Sequence, residues 1–261
     1  AKTIEERRKT SESRPLFASA DTLAITITSD FRAVQRDRDP KSEKLFPATI
    51  TFTNPDGTTA TIPIEIRTRG HSRRLRQTCD FAPLRLEFPK DQVRNTLFDG
   101  QGALKLGTHC RGNTLFEQYV LREYTVYRLY NLLTPYSYRA RLAKVSYVDS
   151  AQKRTDTKYG MFIEDDDDVA RRMSGRVSDT LNLPFRAVHG DTVLLMTLFE
   201  YMIGNTDMSL SRQHNVTVVQ THERIYYTVP YDFDYSGLVD TTYAVADTKL
   251  FGIQSVRDRV Y

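Results

Sequence analysis

Long apolar runs are missing from this chain of 261 residues. The longest, residues 193–203, is interrupted by Thr197 and Glu200 and falls short of the roughly 18 apolar residues that cross a bilayer. The sequence therefore predicts no membrane span. Internal repeats and low-complexity tracts are also missing, and a content of 39% hydrophobic and 11% aromatic residues indicates a folded globular protein.

Cysteine is scarce, with only Cys79 and Cys110 in the chain. The two thiols form a disulfide if the protein is exported and stay reduced and buried if it is cytoplasmic. A zinc site that adds His71 and His109 is a third interpretation, although these spacings match no recognised zinc finger or ribbon. The first residue, Ala1, fits either a mature form after signal removal or a fragment boundary, so the compartment stays open between cytoplasmic and exported.

Glycine-rich phosphate-binding loops are absent as well. The segment IRTRGHSRR around Gly70 contains a single glycine and matches neither a Walker loop nor G-x-G-x-x-G. Its arginines supply guanidinium groups that can clamp phosphate oxygens, or else they form a solvated basic loop. We nominate only Arg69, which precedes the glycine, for ligand contact. The net charge is a modest +4 and acidic residues gather at 164–168, so we expect a bipolar site and no nucleic-acid partner.

The most informative region is the carboxyl-terminal segment 204–243, which contains GNTD, HN and PYDFDYSG. Residues 216–220 and 225–229 have the composition of strands, and the polar loop between them predicts a β-hairpin. Asp207 precedes this hairpin in a loop that follows an apolar helical segment. The region therefore gathers carboxylates and an amide around one structural element.

The register of this hairpin turns the spacing into a geometry. The predicted register pairs Gln220 with Ile225. Asn215 then lies opposite Pro230 and shares the open end of the hairpin with Asp232. Opposed residues have Cβ atoms about 5 Å apart and diagonal ones about 7 Å, so an amide oxygen and a carboxylate can flank one cation. Mg²⁺ prefers such oxygen ligands together with water and phosphate. The alternative is a purely structural role for these residues. Asp207 then caps a turn, Asn215 begins a strand, and Asp232 and Asp234 lie in a solvated loop.

The same region carries a family resemblance. The run IGNTD, then HN, then VPYDFDYSG followed by YA, together with YGMFIEDDDD upstream, resembles the spore-coat CotH kinase-like family, in particular an uncharacterised bacterial branch of it. The resemblance covers residues 67–261 and is most specific at the carboxyl-terminal end. It implies an atypical kinase that binds ATP with Mg²⁺ or Mn²⁺. It also implies further helices beyond VRDRVY, so that the carboxyl-terminal lobe would be truncated in this chain.

The resemblance assigns roles to the clustered residues. Asp207 would orient or deprotonate the acceptor hydroxyl, while Asn215 and Asp232 would hold Mg²⁺ on the nucleotide phosphates. Asp234 is a candidate for a second metal ion or a supporting contact. The eight-residue separation of Asp207 and Asn215 is longer than in protein kinases, which leaves open a nucleotide-binding or interaction module without catalysis. Clustered aspartates around Mg²⁺ also suit a phosphoester hydrolase. The acceptor stays unidentified, with protein, sugar and small molecule all open.

A phosphate-anchoring lysine is missing from the position where the family tends to carry one, in CDFAPLRLEF. Arg85 in that segment and Lys105 in ALKLG are the available substitutes. Glu123 lies on the apolar stripe of a predicted helix, residues 114–133, and is expected to face the core and to partner Lys105. Kinases set the nucleotide phosphates with such a pair. The alternatives are a structural ion pair, or a Glu123 that reaches solvent.

An acidic run ends the upstream motif YGMFIEDDDD, residues 159–168. In the kinase-like interpretation this segment, with Glu164 at the end of its strand, links the two lobes along the adenine edge and binds the base through backbone groups. Three roles are open for aspartates 165–168: they bind a cation, they cap the next helix, or they are simply solvated.

Together these segments predict an α+β, bilobal, protein-kinase-like fold. A polar arm, residues 1–20, is expected to be loosely held. Residues 21–163 form a β-rich lobe that includes one long helix, and residues 164–261 form a lobe of helices with the metal-binding hairpin.

Overall fold

The computed structural model describes residues 3–246 and 249–258, so the last residues of the family resemblance, 259–261, lie outside the described part. The chain divides into two compact units that interleave along the sequence. The barrel unit comprises Ser13–Leu121 and Ala140–Asp165. The hairpin unit comprises the described parts of Ala1–Glu12, Arg122–Arg139 and Asp166–Tyr261.

The α-helices of the described residues are α1 (Ile4–Glu12), α2 (Phe31–Val34), α3 (Thr114–Leu133), α4 (Asp166–Arg172) and α5 (Gly190–Ile203). No described helix combines the length and the apolar character that a membrane crossing requires. The bounds of α3 are those predicted from its apolar stripe. Glu123, on that stripe, is buried with 4% of its surface exposed, as expected.

The strands of the barrel unit are β1 (Leu23–Ser29), β2 (Phe46–Thr53), β3 (Thr59–Thr68), β4 (Leu84–Glu87), β5 (Ala103–Gly107), β6 (Ala140–Asp149) and β7 (Arg154–Ile163). They close into a barrel in the order β1, β2, β3, β4, β5, β7, β6. Neighbouring strands are antiparallel except β1 and β6, whose parallel pairing closes the barrel.

Side chains fill the barrel interior because its strands alternate buried and outward-facing residues. In β3, for example, Ile62, Ile64 and Ile66 are buried while the residues between them are more exposed. This is the period of two that a half-buried strand requires. Aromatic rings complete the core, with Phe98 packed edge-on against Phe52 at 4.8 Å between ring centres.

The predicted bilobal, protein-kinase-like fold is wrong. The β-rich character of residues 21–163 was predicted, but an alternating apolar pattern does not specify which strands pair. Leu23 of β1 pairs with Ala143 of β6, far along the chain, and this contact closes the sheet into a barrel. The long helix also differs from the prediction, because α3 begins in the barrel unit and its residues from Arg122 onward belong to the hairpin unit.

The hairpin unit contains a small antiparallel sheet of β8 (Gly175–Val177), β9 (Val216–Thr221) and β10 (Tyr226–Pro230), with β9 in the middle. The predicted register of its hairpin is wrong by one residue, since Gln220 pairs with Tyr226. A turn at the tip explains the shift: the Arg224 N–H donates to the Thr221 carbonyl, and Arg224 adopts a left-handed φ of 60°. This extra turn residue moves the second strand by one position.

The amino-terminal arm contains α1, which packs within the hairpin unit. Ser11 is fully buried, and its hydroxyl donates to the Asp168 carboxylate at 3.0 Å. The guanidinium of Arg139 donates to the carbonyls of Ser11 and Glu12. Aspartates 166–168 occupy the first turn of α4, where negative charge favours the helix dipole, in agreement with the capping interpretation of the acidic run.

A disulfide joins Cys79 to Cys110 in the barrel unit. It decides among the three interpretations of the two cysteines: a disulfide, reduced thiols or a zinc site. It ties the segment after β3 to the end of β5, beside a backbone bridge in which the Phe81 N–H donates to the Cys110 carbonyl at 2.9 Å. Two otherwise irregular segments are thereby held together.

Removing this disulfide should destabilise the barrel unit. Because the bond closes a segment with a sequence separation of 31 residues, the double variant Cys79→Ser/Cys110→Ser should lose about 4 kcal/mol of unfolding free energy. Urea denaturation measures the loss. Wild type in reducing agent is the matched control and should lose a similar amount. Equal stability of oxidised wild type and double variant would contradict the prediction.

Candidate functional site

The candidate site begins where α5 ends, in the hairpin unit. Gly204 terminates the helix with a left-handed φ of 67°, and its N–H donates to the carbonyls of Glu200 and Tyr201. Asn205 follows and is buried, with its Oδ1 accepting the Asp207 N–H at 3.1 Å. This local side-chain turn fixes the backbone of Asp207.

Two neighbouring side chains hold the Asp207 carboxylate. The Asn215 amide Nδ2 donates to Asp207 Oδ2 at 3.1 Å and to the Asp207 carbonyl at 2.7 Å. His214 Nε2 lies 3.1 Å from Asp207 Oδ1. Asn215 is 6% exposed, whereas the Asp207 side chain is 38% exposed. A buried amide therefore positions a carboxylate that solvent and ligands can reach.

The backbone places Asp232 next to this pair. Beyond the last strand pair, the Tyr231 N–H donates to the Asn215 carbonyl at 3.0 Å. Asn215 and Asp232 both adopt left-handed conformations, with φ of 55° and 62°. Such conformations are uncommon outside glycine, and they cluster at functional sites where surrounding structure supports them.

Tyr127 of α3 supports the backbone of Asp232. Its hydroxyl accepts the Asp232 N–H at 2.9 Å, and its ring packs edge-on against Phe233 with 4.9 Å between centres. The Asp232 side chain does not cap the short 3-10 helix that follows it, Phe233–Tyr235. Within the described residues the Asp232 carboxylate accepts no hydrogen bond, so it is available to a ligand.

Asp234 is in a different situation. It is buried, and its carboxylate Oδ2 accepts a hydrogen bond from the Tyr243 hydroxyl at 3.0 Å. The Thr241 hydroxyl donates to the Asp234 carbonyl at the same distance, 3.0 Å. These contacts tie the DFD segment to the chain that follows it, and the predicted metal role of Asp234 stays a prediction.

The donor set of this cluster suits a hard cation. Among the described residues, no three His, Cys, Asp or Glu side chains come together as a metal-binding group. Asp207, Asn215 and Asp232 instead offer two carboxylates and one amide oxygen. Mg²⁺ is commonly held by one or two carboxylates while it keeps water and phosphate oxygens, so the residues present fit this ion.

The remaining predicted residues lie mostly in the barrel unit. Arg85 of β4 faces outward and its Nε donates to Glu87 Oε1 at 2.6 Å. Lys105 of β5 is half-buried and pairs in register with Arg85. Arg69 follows β3 and is half-buried, and Glu164, which follows β7, is fully buried. Glu123 belongs to the hairpin unit. A ligand-binding role for these five residues stays a prediction.

Two residues of the site were not predicted from the sequence. His214 stands in the HN pair beside Asn215, so its position was a signal, but only the asparagine had an obvious metal-binding role. Tyr127 lies on the buried side of α3, and nothing in the sequence indicates that its hydroxyl reaches Asp232.

No protein-family model matches this chain, and no curated protein matches it. The resemblance to the CotH kinase-like family therefore rests on the quoted motifs and stays a prediction.

A buried carboxylic acid lies directly before this site. Glu200 of α5 is 2% exposed, and neither of its oxygens has a hydrogen-bond partner among the described residues. Burial raises the pKa of Glu200 to about 8, and the neighbouring Asn205 amide opposes the shift without forming a well-aligned hydrogen bond. Glu200 also lines a cavity of about 340 Å³ with Asn205, Thr206 and Phe251.

The raised pKa makes stability depend on pH. The folded protein holds the Glu200 proton more tightly than the unfolded chain, so unfolding free energy should fall as pH rises from about 4.5 to about 8. Glu200→Gln should remove this slope and be more stable than wild type above pH 8 by about 3 to 5 kcal/mol. Urea denaturation across this pH range measures it. Glu223→Gln, at an exposed position, is the control, and a wild-type slope in Glu200→Gln would contradict the assignment.

Proposed function

We propose that this protein is a divalent-cation-dependent phosphotransferase that passes the γ-phosphoryl group of ATP to an unidentified acceptor. The observation that supports it is the hydrogen-bonded pair of Asp207 and Asn215 beside Asp232, a set of oxygen donors with a half-exposed carboxylate. The order of these residues along the chain also supports the proposal, because it resembles the order in the CotH kinase-like family.

Asn215 and Asp232 are the cation ligands in this proposal. Both hydrogen bonds that the Asn215 amide nitrogen donates go to Asp207, which leaves the amide oxygen as the atom for a cation. The Asp232 carboxylate adds one negative charge. A bound Mg²⁺ would neutralise charge on the phosphate oxygens.

Asp207 is the proton acceptor. It takes the proton of the acceptor hydroxyl while that oxygen bonds to the γ-phosphorus and the bond to the bridging oxygen of ADP breaks. His214 touches the same carboxylate and is exposed, so it can pass the proton on to solvent. Asn215 keeps the carboxylate oriented throughout.

A phosphoester hydrolase is the second candidate, and the contact between His214 and Asp207 favours it. A histidine oriented by a carboxylate can protonate a leaving alkoxide. In this case water replaces the acceptor hydroxyl, and the same cluster holds the cation.

Nucleotide binding provides the first test. Saturating ATP with Mg²⁺ or Mn²⁺ should raise the melting temperature by about 5 °C, and EDTA should abolish the shift. Asp232→Asn should reduce the shift because the amide that replaces the carboxylate brings no negative charge to the cation. Asp179→Asn, at an exposed position of the same unit, is the matched control and should keep it. No shift in the wild type would contradict the proposal.

Phosphoryl transfer provides the second test. Asp207→Asn should bind ATP and Mg²⁺ like the wild type but transfer radiolabelled phosphate, to itself or to added acceptors, at least 100-fold more slowly. Asp232→Gly separates chemistry from backbone strain, because glycine tolerates the left-handed φ and the variant should fold but be inactive. Release of phosphate from p-nitrophenyl phosphate, without transfer from ATP, would favour the hydrolase. ATP binding without either reaction would indicate a nucleotide-binding module.

A further inference from the structure

The open end of the barrel contains a pocket that the proposed function does not use. Its volume is about 490 Å³, within the range of small-molecule sites. It lies where β1, β5 and β6 end and where β4 and β7 begin, and α2 forms part of its wall. We call it the mouth pocket. All its lining residues belong to the barrel unit.

Aromatic rings form one wall of the mouth pocket. The Phe81 ring lies 5.6 Å from Phe31, 4.8 Å from His109 and 4.8 Å from Tyr147, measured between centres. The His109 ring stacks on Phe81 with an interplanar angle of 26°. Such a wall favours a planar, apolar ligand group, because rings pack well on one another.

Two polar atoms in this wall have no hydrogen-bond partner among the described residues. They are Nδ1 of His109 and the hydroxyl of Tyr147, on residues that are 4% and 3% exposed. Burial lowers the pKa of His109 to about 4, so its ring is neutral at neutral pH. Buried polar groups of this kind are normally satisfied by protein, water or a ligand.

Four exposed arginines also line the mouth pocket. The lining arginines are Arg32, Arg36, Arg76 and Arg154. Within the described part of the chain, none of these side chains makes an ion pair or a hydrogen bond. Three carboxylates also line the pocket, Asp80, Asp149 and Asp156, so the arginines outnumber them by one. Asp149 accepts from backbone N–H groups of Arg32, Ala151 and Gln152, and Asp156 lies 3.9 Å from Lys158. Positive charge is therefore available to an anion.

We propose that the mouth pocket binds an aromatic phosphate, a small molecule with a planar ring and a phosphate group. The ring packs against Phe31 and Phe81, and the arginines bind the phosphate oxygens. The disulfide between Cys79 and Cys110 holds two sides of the wall, because Phe81 and His109 lie within two residues of its cysteines.

Isothermal titration calorimetry with three probes tests both parts of this ligand. 1-Naphthyl phosphate should bind with a dissociation constant at least tenfold lower than either 1-naphthol or inorganic phosphate. The double variant Arg36→Gln/Arg76→Gln should raise the dissociation constant of 1-naphthyl phosphate at least tenfold. Both arginines are exposed, so the variant should fold, and an unchanged melting temperature checks this.

Control variants locate the binding. Arg7→Gln/Arg224→Gln removes two exposed arginines of the hairpin unit and should leave the affinity unchanged. Asp232→Asn should also leave it unchanged, which separates this pocket from the proposed phosphotransferase site. Phe81→Leu should weaken the binding of 1-naphthyl phosphate but not that of inorganic phosphate, because it removes only the stacking surface.

Several results would overturn the proposal. They are an absence of binding by 1-naphthyl phosphate, equal binding of 1-naphthol, or full affinity in Arg36→Gln/Arg76→Gln. AMP and O-phosphotyrosine distinguish a nucleotide from a phosphorylated aromatic amino acid, and displacement of 1-naphthyl phosphate by either supports the proposal. Failure of both to compete at millimolar concentration would show binding of the probe alone and would also overturn it.

Discussion

The parallel pairing of β1 with β6 is the contact on which the barrel unit depends. It runs from Leu23 opposite Ala143 to Ser29 opposite Asp149, and it removes the two edges that an open sheet would expose. It also brings the turn after β6 to the end of β1, where the Ser150 N–H donates to the Ser29 carbonyl at 2.9 Å. The mouth pocket therefore exists because the barrel closes, since its wall combines residues that follow β1 with residues at the end of β6.

The sequence predicts the local elements well and their partners poorly. The isoleucines of β3 repeat with the period of a strand and the apolar stripe of α3 with the period of a helix, so the residues of each element indicate its type. Nothing in β1 identifies β6 as its neighbour, because any strand with a matching inward face would satisfy the same pattern. The hairpin register failed for a related reason: the left-handed turn residue is Arg224, and the usual glycine signal is absent.

The sequence identified the members of the candidate site but not the residues that support them. Asp207 and Asn215 were expected to approach each other, and the structure joins them by a hydrogen bond. The contacts of His214 and Tyr127 arise from tertiary packing that the motifs do not encode. The mouth pocket was not predicted at all, since arginines such as Arg36 and Arg154 resemble solvated surface charges until the barrel places them around one cavity.

Unsatisfied buried polar groups connect stability to binding in both units. Leaving a buried donor or acceptor without a partner costs about 1 to 3 kcal/mol. The barrel unit carries this cost at His109 and Tyr147, and the hairpin unit carries it at Glu200 and Asn205. A core selected for stability alone would replace such groups with apolar side chains of similar volume. These residues line cavities. A ligand that forms hydrogen bonds with their unsatisfied groups removes a destabilisation of the folded protein, so it gains affinity and stabilises the unit that it binds.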